Sequence, residues 1–234
     1  MTEPVSVLPI SRRFIDTLVL ILVPICLVAC AWFKVDQTAL ISLVVVVLAL
    51  VPFFLQFEQK KPKPRDIMPI IVLAALAVAG RIIFAPLPNI KPVSAIVIVA
   101  GICFGRQSGF MTGALAALVS NLFFGQGPWT PWQMYGWGCM GYMAGMLEDH
   151  GIFKHQVLVY VYGFIAPVMY GLILDTYFFI GFVGEANLSA AVLVYSAGLT
   201  ASLMHAIATV VFLVPLYMPW RKKLHRLKRK YGIE

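Results

Sequence analysis

The 234 residues are 61% apolar and 12% charged, which leaves too few polar side chains to cover a water-soluble domain of this size. A net charge of +8 would suit nucleic acid on a soluble face, but the basic residues lie between and after long apolar runs, which points to a bilayer and excludes a nucleic-acid role. With about 20 residues per crossing there is room for roughly eight spans and for no separate soluble domain.

Apolar runs broken by charge or by Pro and Gly clusters predict spans at 14–33, 38–57, 67–85, 93–104, 108–124, 131–147, 157–182 and 188–219. The first is not read as a cleaved leader, because its apolar run is long and a second span follows at once. The fourth is too short to cross as a regular helix; it borrows residues from the preceding PLPNIKPVS or is partly unwound.

With the amino terminus in the cytoplasm, the inner loops collect Arg12, Arg13, Lys60, Lys61, Lys63, Arg65, Arg106, Lys154 and seven basic residues of the tail RKKLHRLKRK. Those are 15 of the 18 Lys and Arg, so the positive-inside rule puts both termini in the cytoplasm and predicts a multi-pass protein of the cell membrane. The tail is expected to rest on anionic headgroups. The polar stretch KKPKPRD divides the chain into an N-terminal transmembrane hairpin, 1–59, and a six-helix core with the basic tail, 60–234. The fold class is all-α, a polytopic membrane helix bundle.

Helices in lipid associate closely through small side chains at four-residue spacing. Gly109, Gly113 and Ala117 form one such stripe, Gly141 and Gly145 a second, Ala75 and Ala79 a third. They serve packing within the chain or a face for another membrane protein, and spacing alone does not separate the two.

This topology places three core loops outside. One, 84–94, holds Asn89 and Lys91 among prolines; a second, 123–138, holds Gln126, Trp129, Trp132, Gln133, Tyr135 and Trp137; a third, 180–189, holds Glu185 and Asn187. Trp and Tyr favour membrane interfaces, which accounts for Trp32 and Trp220. Three Trp, one Tyr and two Gln within twelve residues, with Pro and Gly setting the backbone, also match the lining of a small-molecule pocket.

Arg81 and Asp175 lie inside predicted spans, where an ionisable group requires a partner or water. They either pair with each other or line an outward-facing cavity. His205 reads as a hydrogen-bonded packing residue. No phosphate loop, H-E-x-x-H or G-x-S-x-G occurs, and Cys26, Cys30, Cys103 and Cys139 have no histidine to complete a metal set. No catalytic residue, metal or cofactor is expected, and the chain is not read as an enzyme.

The segment RIIFAPLPNIKPVSAI, the G-x-x-x-G-x-x-x-A pattern from Gly109 and, most distinctively, SNLFFGQGPWTPWQM resemble the S component, the substrate-binding subunit, of energy-coupling-factor vitamin transporters. The resemblance covers 67–219 and is strongest to cobalamin-specific members. It implies that the three loops close over a vitamin, with Asn89, Lys91, Gln126, Trp129, Trp132, Gln133, Tyr135 and Asp175 as contacts. It implies that Ala75 and Ala79 dock on a transmembrane coupling subunit and that two cytoplasmic ATPase subunits drive import. The hairpin 1–59 departs from the six-helix pattern. Another vitamin such as riboflavin is the alternative substrate, and a membrane scaffold or assembly protein the alternative of another class.

Overall fold

The computed structural model describes residues 25, 38–59, 63–183 and 187–233. The expected first span, with Trp32, Cys26 and Cys30, lies outside the described residues, as do Lys60, Lys61 and Glu185. Helices α1 (Thr38–Gln59), α2 (Pro64–Ile83), α3 (Val93–Phe104), α4 (Arg106–Phe124), α5 (Thr130–Asp149), α6 (Gln156–Phe182) and α7 (Leu188–Tyr231) make up the molecule, with a 3-10 turn at Ile152–Lys154 and no strand among the described residues. The chain runs up and down, so the bundle has a loop end carrying 84–92, 125–129, Val183 and Asn187, and a basic end carrying the start of α2 and the end of α7.

Among the described residues three helices, α2, α6 and α7, are long and apolar enough to cross a membrane. Val157, Leu193 and Val211 on them are each more than 60% exposed, an outward apolar surface that only lipid or another apolar partner can cover. The all-α expectation holds, and the molecule is a helical membrane bundle.

The short fourth segment is the centre of the bundle. Every residue of α3 is buried, consistent with a sequence that carries no charge and is made of branched aliphatic and small side chains up to Phe104. It does not borrow turns from the loop before it. At its other end Gly105, with φ at +90°, joins it directly to α4, a backbone geometry open chiefly to glycine.

The glycine stripes of α4 and α5 are internal packing. A Cβ on Gly109 would lie 2.4 Å from the Gly141 carbonyl oxygen, and one on Gly113 would lie 2.4 Å from that of Trp137. The two backbones touch where side chains would hold them apart. Ala75 and Ala79, by contrast, are exposed on the face of α2 opposite the buried Ala74, Ala77 and Val78.

Helix α1 is bound to the core through Val46, Leu50 and Phe53, with the Phe53 ring stacked on Phe110 at 3.9 Å and edge-on to Tyr142 at 5.4 Å. At the other terminus α7 continues through the basic tail as 44 residues of helix and ends at Gly232, whose φ is +55°. Leu224, packed on the core, shows why the helix continues past the apolar span.

Candidate functional site

The loop end holds a connected set of polar side chains contributed by successive core helices. Arg81, in the last turn of α2, donates to Ser120 Oγ at 2.5 Å and to Asn121 Oδ1 at 2.8 Å, both on α4. The Asn121 amide donates in turn to Gln133 Oε1 at 2.8 Å and Thr130 Oγ1 at 3.0 Å on α5. Thr130 donates to Gln126, whose own amide donates to the Leu118 carbonyl. A buried amide satisfied on both sides is rigid, because each bond fixes the next.

An aromatic wall adjoins this network. The Arg81 guanidinium lies 4.8 Å from the Phe124 ring centroid and 5.2 Å from that of Trp137. Trp137 stacks on Tyr170 of α6 at 4.8 Å, and its indole N–H donates to Ser94 Oγ of α3 at 3.2 Å. Ser94 is also hydrogen-bonded to His205 of α7, at 2.8 Å, and His205 meets Tyr170 edge-on. His205 is thus hydrogen-bonded and packed, as its sequence position suggested. Residues of all six core helices converge in one polar and aromatic cluster.

The loop residues stand around it. Asn89 is half-buried with φ at +59°, a conformation asparagine tolerates better than most residues. Lys91 is half-buried; that burial, and to a lesser degree the nearby Arg81 charge, push its pKa below the ordinary lysine value. The Trp129 ring is partly exposed and lies over Gly127, where no side chain could sit beneath it.

Several expectations are corrected. The stretch 123–138 is not one loop: α5 begins at Thr130 with Pro131 in its first turn, where a proline costs no helical hydrogen bond. Helix periodicity then divides the motif between two faces. Gln133 and Trp137 join the polar network and the aromatic stack, whereas Trp132 and Tyr135 are buried in a cluster with Phe53 and Phe110. Arg81 and Asp175 form no ion pair; Arg81 is held by neutral groups, and Asp175 lies on α6 against Gly198 of α7. Among the described residues, Asp175 Oδ2, Trp132 Nε1 and Tyr177 Oη are buried without a hydrogen-bond partner.

Ser94, Ser120, Asn121 and Tyr170 were not singled out from the sequence. The signal was present for the serine–asparagine pair, two adjacent polar residues closing an apolar span.

A helical membrane bundle with a polar and aromatic cluster near one end is the class of protein that the fold and the site define. Residues 63–222 match the family described as "ECF-type riboflavin transporter, S component". The chain belongs to that family: it is a vitamin-capturing transporter subunit, not an enzyme, and it works with a membrane coupling subunit and ATPases. No curated protein and no solved structure matches it.

Proposed function

We propose that the chain captures a flat, ring-bearing vitamin at the outer face of the membrane and passes it inward with ATP hydrolysis by its partners. The observation that carries this reading is the convergence of Arg81, Asn121, Gln133, Ser94 and His205 beside the Trp137–Tyr170 stack. Flat rings suit the aromatic wall, and amide or carbonyl substituents suit the donors. Asn89, Lys91, Gln126 and Trp129 then form the lip. Trp132, Tyr135 and Asp175 stand behind it, packed among the helices.

Orientation follows from charge: the loop end faces outward because the basic end carries the cations that are retained inside. Ala75 and Ala79 are the proposed docking face for the coupling subunit, supported by their exposure on α2.

Cobalamin is the first candidate, on the resemblance of the SNLFFGQGPWTPWQM motif and the fit of a broad, amide-rimmed ring to this mixture. Riboflavin is the second, on the description of the matching family. The detergent-purified protein, titrated separately with each and followed by tryptophan quenching and absorption, distinguishes them. Saturable binding of one compound, weakened in Trp137→Ala, is expected. A folded protein that binds neither overturns the reading.

A further inference from the structure

At the opposite end of the molecule the first turns of α2 run beside the last turns of α7, and a groove of about 550 Å³ lies between them. Arg65, Met68, Val72 and Leu76 line it from α2; Trp220, Lys223, Leu227 and Tyr231 line it from α7 at the same spacing of three, four and four residues. Phe104, the last residue of α3, forms part of its floor. The two stripes are antiparallel, so Leu76 and Trp220 mark the inner end. Arg65, which lies near Gly232, marks the mouth with Tyr231.

We propose that this groove binds an anionic phospholipid, with an acyl chain along the apolar floor and the phosphate at the mouth. Charge complementarity selects this occupant. The ion pairs seen at this end engage Arg106 and Arg221 and leave Arg65 and Lys223 without a carboxylate among the described residues. Lys63 next to Arg65, and the tail on the other side, make the mouth strongly cationic. Lys223 has a flexible apolar stem that can lie along the groove while its ammonium reaches the headgroup. Trp220 and Tyr231 are the side chains that favour the headgroup level. Basic pockets between membrane helices are the kind of site that anionic headgroups occupy.

Native mass spectrometry of the full chain, titrated with phosphatidylglycerol or with phosphatidylcholine of identical acyl chains, tests this. At about 1 kcal/mol per cation near the headgroup, two cations give a preference for phosphatidylglycerol of roughly 30-fold. Arg65→Gln combined with Lys223→Gln should erase that preference, and Leu76→Trp, which fills the inner end, should abolish tight binding of both lipids. The two glutamines replace exposed side chains, so the test stands even if the tryptophan variant misfolds. Equal affinity for the two lipids in the native chain, or a preference that survives the double substitution, overturns the proposal. A groove that takes neither lipid, and in which Val72→Cys is shielded from a thiol reagent only when the coupling subunit is added, is a protein interface, which also overturns it.

Discussion

At the loop end Arg81 turns inward to a serine, an asparagine and two aromatic rings, whereas at the basic end Arg106 and Arg221 meet the carboxylates of Asp149 and Glu148 at 2.6 and 2.7 Å. The second arrangement neutralises its cations. The first does not: hydroxyl and amide oxygens hold the guanidinium in place and leave its charge in the low-dielectric interior. Such a charge is costly unless something uses it. On the proposed function, the contrast separates a binding end from an anchoring end, and substitutions at the two ends should differ accordingly.

The largest effect tests the frame that both ends share. Gly141→Leu drives a side chain into the Gly109 backbone, so α4 and α5 must separate. A loss of about 3 kcal/mol or more is expected, read as a collapse in folded yield by size-exclusion chromatography, with vitamin binding lost as a consequence. Normal yield would show that the helices do not depend on that contact.

Arg81→Ala comes next and acts on one end alone. It removes two charge-assisted hydrogen bonds and two cation–π contacts, so vitamin affinity should fall by about 10- to 100-fold while the chain still inserts and keeps its melting temperature within a few degrees. Unchanged affinity would mean that the inward cation is structural. Trp137→Phe is milder. It keeps the stack on Tyr170 but loses the bond to Ser94, and affinity should fall by roughly fivefold in the same titration.

The smallest effect belongs to the basic end. Glu148→Gln removes the partner of Arg221 and should cost about 0.5 kcal/mol, visible as a slight drop in thermal midpoint with no change in vitamin affinity. A strong effect on affinity would break the comparison, because it would couple the anchoring end to the binding end.

Much of this was legible in the sequence, for physical reasons. Apolar runs bounded by charge locate helices well: 93–104, 157–182 and 188–219 begin at or within one residue of α3, α6 and α7. Glycines at four-residue spacing marked close-packing faces, and the structure pairs two of them with each other at the α4–α5 contact. The candidate site was legible by region more than by residue. The motif GQGPWTPWQMYGW contributes Gln126, Gln133 and Trp137 to the polar and aromatic cluster, but a helix beginning at Thr130 turns its aromatics to different faces, and composition carries no such angle. Tyr170 was hidden because an aromatic within a span gives no sign of a partner, and Trp137 and His205 reach it from other helices. The pairing of Arg81 with Asn121 joins residues 40 apart, and only the three-dimensional packing discloses it.

Helix α7 carries His205 of the polar and aromatic cluster and the cations of the tail on one helix of 44 residues. At 1.5 Å per residue it is about 66 Å long, roughly twice the thickness of a bilayer's hydrocarbon. Its basic half is not a loose extension: Leu224 packs on the core and Arg221 is clasped by Glu148. One helix therefore acts as a mast, stepped into the bundle at its foot as well as along its apolar length.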